Sequence, residues 1–114
     1  MEKITDLTFL QNFTSGNAER IKKLVNIFLD KTPGSLEQLE KVKTNSDWEL
    51  AKRTLHLLKP NGQYLGIKTL TPLIEIIEQN ISEQNNLEKL PSQIDEVISI
   101  CEKAIQELET EFPA

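Results

Sequence analysis

The only histidine of the chain, His56, has basic and amide side chains at helical spacing around it. At about 100° per residue, Lys52, Lys59 and Gln63 share an arc with His56, and an apolar arc lies roughly opposite. Residues 51–74 contain four basic residues and no acidic one, while the whole chain carries a net charge of −5. We therefore expect His56 to face solvent on a cationic surface that suits an anionic partner or group. The alternative is that the lysines form an ordinary solvent-exposed helix face and that His56 has no chemical role.

Other chemistries that use histidine lack their partners in this sequence. Cys101 is the only cysteine, which leaves too few His and Cys residues for a zinc site and excludes an intrachain disulfide. No serine or cysteine nucleophile stands beside His56 in the pattern of a catalytic triad, and no glycine-rich nucleotide-binding loop is present. A hydrolase with His56 as its general base therefore has little support.

Length, charge and cysteine content set the broad class of protein. The 114 residues are enough for one domain, and we expect a single domain over residues 1–114. The acidic balance, with 13 basic and 18 acidic residues, disfavours nucleic-acid binding. No apolar run is long enough to cross a membrane, and the N-terminus lacks the pattern of a signal peptide. A lone cysteine fits a reducing compartment, so the sequence predicts a cytoplasmic protein, expected as a monomer.

The elements that must position His56 are predicted to be helices. The chain is rich in Leu, Ile, Glu, Lys and Gln and poor in glycine and aromatic residues, and no segment alternates with a period of two. The pattern predicts an all-α fold, an antiparallel up-down four-helix bundle with a short extra N-terminal helix. In that short helix, Leu7, Leu10 and Phe13 form one apolar stripe.

The four longer helices are predicted from their apolar periodicity. The first begins after Asn17 as its N-cap and continues through Pro33, where a kink is expected and a break into two helices is the alternative. The second opens with a capping box at residues 46–49, places His56 midway along it and runs to about Leu65, with Gly66 as its left-handed end. The third is followed by a polar connector over residues 80–86, and the fourth has Pro91 in its first turn.

The segment LHLLKPNGQYLG, residues 55–66, resembles the active-site helix of histidine-containing phosphotransfer (HPt) domains. That family has a histidine, then a hydrophobic residue two positions on, a lysine three on, a small residue four on and a glycine ten on. The corresponding residues of this chain are His56, Leu58, Lys59, Pro60 and Gly66. The short first helix, the segment FLDKTPGSLEQLE and the Ile77-Glu78 pair also look like the family.

The resemblance implies a histidine phosphocarrier of multistep phosphorelays. His56 would take a phosphoryl group from a receiver-domain aspartyl phosphate and pass it to another receiver aspartate, while Lys59 stabilises the phosphoryl charge and Lys52 adds to this more weakly. The implied partners are response-regulator receiver domains, with a hybrid sensor histidine kinase as a further candidate. No cofactor is expected on this chain, because the receiver would bring the Mg²⁺. The resemblance thus implies a phosphotransfer intermediate and not an ATP-dependent kinase.

Two departures from the family pattern lie on the face expected to bind the partner, which comprises Lys52, Pro60, Gln63 and the backbone near Gly66. Pro60 stands where the family often has glycine, and Gln63 stands where small residues are common. Flanking apolar contacts are expected from Leu57 and Tyr64 on one side and from Leu7 or Leu10 on the other. The competing function is a helical interaction domain that binds receivers without phosphotransfer.

Overall fold

In the computed structural model, which describes residues 3–113, four long helices enclose a shared apolar core. They are α2 (Ala18–Asn45), α3 (Trp48–Leu58), α5 (Leu70–Glu83) and α6 (Leu90–Glu111). α2 packs on α3 and α6, and α5 packs on the same two helices, so the four form a closed ring. The predicted all-helical bundle is confirmed, and residues 3–113 contain no strand.

Three short elements complete the fold. α1 (Thr8–Phe13) is the expected extra N-terminal helix, and it packs on α4 (Asn61–Tyr64), which follows α3 directly. A single 3-10 turn, Leu87–Lys89, leads into α6. α4 also packs on α5, and the 3-10 turn packs on α6.

The helices form where the sequence repeats apolar residues at three- and four-residue intervals. α2 runs unbroken through Pro33 and begins at Asn17, whose side chain accepts a hydrogen bond from the N–H of Arg20 (3.1 Å). Its buried face is formed by residues at helical spacing: Ile21, Val25, Phe28, Thr32, Leu36, Leu39 and Val42. One long helix with one buried face is thus confirmed, and Pro91 lies in the first turn of α6 as predicted.

The expected capping box of α3 is wrong. Asp47, one residue after Ser46, is the N-cap of α3, and its carboxylate accepts from the N–H of Leu50 (3.2 Å). Ser46 instead ends α2 in a left-handed conformation, with φ of 53°. The reason is that the two helices are joined by only two residues, so the one that turns the chain cannot also cap the next helix.

The expected extent of α3 is also wrong, because the helix ends at Leu58 and not near Leu65. Pro60 has no N–H to donate to the carbonyl of His56, so the helical ladder stops there. The chain restarts as the single turn α4, and Gly66 then takes the predicted left-handed conformation, with φ of +63°. His56 therefore lies near the C-terminal end of its helix and not midway along it.

Two further expectations need correction. The polar connector is shorter than residues 80–86, because α5 continues to Glu83 with Ile81 in the core, and the turn is made by left-handed Gln84 and Asn86. In α1 only Leu10 is fully buried, while Phe13 is 56% exposed. Phe13 stacks on Phe9 instead, with ring centroids 5.9 Å apart. Aromatic stacking at the surface thus replaces the expected core stripe.

The segment before α1 ties the C-terminal end of α6 to the turn after α4. The carboxylate of Glu107 accepts from the backbone N–H groups of Ile4 (2.8 Å) and Thr5 (3.1 Å) and from the Thr5 hydroxyl (2.8 Å). The N–H of Asp6 then donates to the carbonyl of Leu65 (2.8 Å). α1 is thereby fixed beside the segment that contains His56.

None of the helices within residues 3–113 combines the length and the apolar character that crossing a lipid bilayer requires.

Replacing Gly66 with alanine is expected to lower the free energy of unfolding by about 1–3 kcal/mol. Its φ of +63° disfavours any side chain, and an added Cβ would lie 2.3 Å from the carbonyl oxygen of Asp6. Gly34→Ala is the control, because Gly34 lies within α2 and has nothing within 4 Å of an added Cβ. That change is expected to be neutral or stabilising by about 0.5–1 kcal/mol. Urea denaturation measures both, and equal effects would contradict the account of the Gly66 turn.

Candidate functional site

His56 lies in the last turn of α3 with 70% of its side chain exposed. The opposite face of α3 and α4 is buried and holds the segment against the core through Ala51, Leu55, Leu58, Gly62 and Leu65. This agrees with the apolar arc deduced from the helical wheel. The imidazole is therefore held on a rigid element while remaining open to a partner.

A carboxylate from the neighbouring helix joins His56 and Lys59. In α5, Glu78 accepts a hydrogen bond from the Lys59 amine through Oε1 (2.8 Å), and its Oε2 lies 3.2 Å from Nδ1 of His56. Glu78 is 14% exposed and Lys59 is 26% exposed, so both are partly shielded from water. The three side chains form a connected cluster, with Glu78 at its centre.

The contact with Glu78 selects one tautomer of the imidazole. An ionised carboxylate can only accept hydrogen bonds, so the contact requires the proton on Nδ1. The lone pair is then on Nε2, the ring nitrogen that makes no contact with Glu78. His56 is thus arranged to present Nε2 to an incoming electrophile.

Hydrogen bonding sets the charges of the cluster. Partial burial, the largest single effect, would raise the pKa of Glu78, but the hydrogen bonds from Lys59 and His56 and the charge attraction at the same contacts together keep the pKa below its ordinary value. The hydrogen bond to Glu78 likewise raises the pKa of Lys59 above its ordinary value, against a smaller desolvation effect. At neutral pH the cluster therefore holds a carboxylate and an ammonium group beside the imidazole.

The other predicted site residues lie around this cluster. Lys52 lies one turn before His56 along α3, and its amine donates a hydrogen bond to the hydroxyl of Ser82 on α5 (2.5 Å). Pro60 and Gln63 are exposed beyond the end of α3. Gly66 is half-buried, and its α-carbon faces the backbone of Asp6. The structure thus brings Lys59 next to His56, and it places Gly66 against the N-terminal segment.

An apolar groove of about 540 Å³ runs along the flank of α3 away from α5. It lies between α1, α2, α3 and α4, and its exposed apolar side chains are Phe13, Ile27, Leu57 and Tyr64. Leu57 is 74% exposed and follows His56 directly in the chain. Lys31 adds a positive charge to the lining. This groove, called the apolar groove below, therefore begins beside the imidazole.

Reasoning from the sequence missed the role of Glu78. The charge count over residues 51–74 ended early in α5, before Glu75 and Glu78, so it described the face as purely cationic. Glu78 neutralises part of that charge, and Glu75 also acts on Lys59 through space. The available signal was the Ile77-Glu78 pair in the predicted next helix, because Ile77 is a core position and the residue after it lies at the edge of the core-facing side.

A family model described as Hpt domain matches residues 23–111, more than half of the chain. The matched region includes His56, Lys59 and Glu78, whereas α1 lies outside it. Neither the curated proteins nor the solved structures include a significant match to the chain.

The Lys59–Glu78 pair is expected to make stability depend on pH at both ends of the scale. Glu78 has a lowered pKa, so its contribution is present above the ordinary value of 4.5 and is lost as pH falls through the lowered value. Lys59 has a raised pKa, so its contribution is complete below 10.5 and is lost as pH rises through the raised value. Glu78→Gln should therefore lower the free energy of unfolding most at pH values between 4.5 and 10.5.

Urea denaturation at a series of pH values measures this difference. Glu75→Gln is the matched control, because Glu75 is exposed and affects Lys59 only through space. Glu75→Gln should lower the free energy of unfolding less than Glu78→Gln does. A Glu78→Gln deficit that stays constant down to strongly acidic pH would contradict the pairing.

Proposed function

The chain belongs to the Hpt domain family, which carries out histidine phosphotransfer in phosphorelays, and on this premise we propose that it is a phosphocarrier between receiver domains. His56 accepts a phosphoryl group from the aspartyl phosphate of one receiver and gives it to the aspartate of another. The observation that carries the proposal is an exposed imidazole whose Nδ1 contacts Glu78, with the Lys59 amine beside it. The proposed unit is one domain over residues 1–114.

In the proposed step, Nε2 of His56 attacks the phosphorus of the aspartyl phosphate. The N–P bond forms as the O–P bond to aspartate breaks, and the aspartate leaves as a carboxylate. The imidazole keeps its Nδ1 proton and gains positive charge, which the Glu78 carboxylate 3.2 Å away stabilises. In the onward transfer the ring leaves as neutral imidazole, so no proton has to be exchanged with solvent.

Lys59 has the position and the hydrogen-bonding capacity to bind the transferred group. An ammonium group has three N–H donors. The bond to Glu78 uses one of them, which leaves others for phosphoryl oxygens. Lys52 adds positive charge one turn before His56 along α3. Because phosphoryl transfer depends mainly on positioning and electrostatics, these groups are sufficient on this side, and the receiver is proposed to supply the Mg²⁺.

The receiver is proposed to dock over His56 and the apolar groove together. The groove begins at Leu57, so a partner that reaches the imidazole also covers exposed apolar surface. Lys31 and Arg53 flank Leu57 on the side of α2, and they complement an acidic partner. A carrier that must release two partners needs a small, transient interface, and a groove of this size is consistent with one. The same surface suits a receiver within a hybrid sensor histidine kinase.

The alternative function is receiver binding without phosphotransfer, which the apolar groove alone would permit. The two functions differ in whether His56 becomes phosphorylated. The cytoplasm remains the proposed location, because both receiver domains and ATP-dependent sensor kinase cores operate there.

His56→Gln is expected to abolish phosphoryl uptake from a phosphorylated receiver while leaving the helical fold intact. Lys59→Ala should reduce the transfer rate by about tenfold or more, because it removes a charge beside the phosphoryl group. Rapid quenching followed by measurement of acid-labile phosphate gives both rates, and circular dichroism checks the fold. If His56→Gln acquired acid-labile phosphate at the wild-type rate, the phosphocarrier assignment would be wrong.

Removing Leu57 from the apolar groove is expected to weaken receiver binding. Leu57→Ala should raise the Kd by about fivefold to thirtyfold, because it removes a mostly exposed side chain that the partner would bury. Ile76→Ala is the matched control: Ile76 is 50% exposed on α5 and does not line the groove. Titration calorimetry measures both constants, and an equal change for the two variants would contradict docking over the groove.

The positive charge at the site is expected to speed association. Lys59→Glu should slow it, added salt should slow it for the wild type, and Glu102→Lys on α6 should change it little. Stopped-flow measurements at two ionic strengths test this. A rate that responds neither to salt nor to the Lys59 change would place docking elsewhere.

A further inference from the structure

The junction between α3 and α4 cannot be held by regular helical hydrogen bonds. Pro60 leaves the carbonyl of His56 without the N–H that would lie four residues on. Three residues after His56, the carbonyl of Lys59 accepts a hydrogen bond from the N–H of Gly62 (3.1 Å). This bond spans three residues, as in a 3-10 turn, and not the four of an α-helix. The N–H of Lys59 still donates to the carbonyl of Leu55 (3.0 Å), so it is the carbonyl side of Lys59 that depends on contacts from outside α3.

One such contact comes from Thr71 in the first turn of α5. Its hydroxyl donates to the same Lys59 carbonyl (3.0 Å), and its side chain is half-buried. Gly62 makes this approach possible: a Cβ added at Gly62 would lie 2.2 Å from the Thr71 hydroxyl oxygen and 3.2 Å from its Cβ. The absence of a side chain at Gly62 thus leaves the space that the threonine occupies.

Lys59 is consequently bound to α5 through both its backbone carbonyl and its side-chain amine. Its carbonyl is bound by Thr71 and its amine by Glu78. Thr71 and Glu78 are seven residues apart, so they lie on one face of α5 at a separation of about 10.5 Å along the axis. A lysine side chain in a helix leans toward the N-terminus of that helix. Because α5 runs antiparallel to α3, the side chain of Lys59 therefore extends in the direction that leads from Thr71 to Glu78 along α5.

We propose that Thr71 is a positioning residue of this site: its hydroxyl bond to the Lys59 carbonyl fixes the backbone from which the Lys59 amine reaches Glu78 and the phosphoryl group. The proposal rests on the proposed function for its consequence in phosphotransfer. It follows that the hydroxyl of Thr71, and not its methyl group, controls where the Lys59 amine lies. Pro60 contributes to this need, because it leaves the carbonyl of His56 without its helical donor, and beyond it the N–H of Gln63, the helical donor to the Lys59 carbonyl, donates to the carbonyl of Pro60 (3.1 Å) instead.

Thr71→Val removes the hydroxyl and retains the branched shape, while Thr71→Ser retains the hydroxyl and is the matched control. Thr71→Val should slow phosphoryl transfer from a phosphorylated receiver by about threefold to tenfold, because Lys59 is less well placed. Thr71→Ser should stay close to the wild-type rate. The ¹³C NMR titration of the Lys59 side chain gives a second readout, independent of phosphate: its pKa should fall toward the ordinary value in Thr71→Val only.

A Pro60→Ala background provides the decisive comparison. Alanine at position 60 can donate to the carbonyl of His56, so Thr71→Val should change the Lys59 titration less in this background than in the wild type. Equal effects of Thr71→Val in the two backgrounds, or equal losses in the Val and Ser variants, would overturn the proposal.

The two proposals fail in different ways. If the wild type accepts no phosphate, the phosphocarrier function is wrong, but the Lys59 titration still tests Thr71. If the wild type accepts phosphate and Thr71→Val changes neither the rate nor the titration, the positioning role of Thr71 is wrong and the phosphocarrier function stands.

Discussion

The site depends on one carboxylate that bridges two helices. Glu78 on α5 binds the amine of Lys59 and contacts Nδ1 of His56, both on the segment that ends α3. Without it, the imidazole would have no partner to select its tautomer, and the amine of Lys59 would move with its flexible stem. The packing of α5 on α3 through the core therefore determines how these three side chains meet on the outer face of the bundle.

The break after α3 gives this surface two sides with different properties. On the side of α5 lie the imidazole of His56, the ammonium group of Lys59 and the carboxylate of Glu78. On the other side, the turn at Pro60 and the single-turn α4 carry Tyr64 beside α1, where its ring meets Phe9 edge to face with centroids 5.5 Å apart. The polar cluster and the apolar groove thus lie on neighbouring sides of α3: His56 belongs to the cluster, and the next residue, Leu57, lines the groove. A partner can reach the imidazole while it rests on the apolar side.

Much of the fold could be predicted from the sequence because helical periodicity reports burial directly. The buried face of α2 was recognised through Pro33, as was the buried arc of α3. The end of α3 was not, because the apolar pattern continues past Pro60 into α4 and hides the change of hydrogen bonding. The exposure of His56 followed from the same pattern. Its contact with Glu78 did not, since periodicity within one helix carries no information on the register between two helices.

In the proposed mechanism, Glu78 holds the Nδ1 proton of His56 so that Nε2 receives the phosphoryl group. The most direct test is ¹H–¹⁵N NMR of the His56 ring before and after incubation with a phosphorylated receiver domain. We expect the Nδ1–H tautomer in the free protein and phosphorus bonded to Nε2 after transfer. Phosphorus on Nδ1, or an unmodified ring after the receiver has lost its phosphate to this chain, would contradict it.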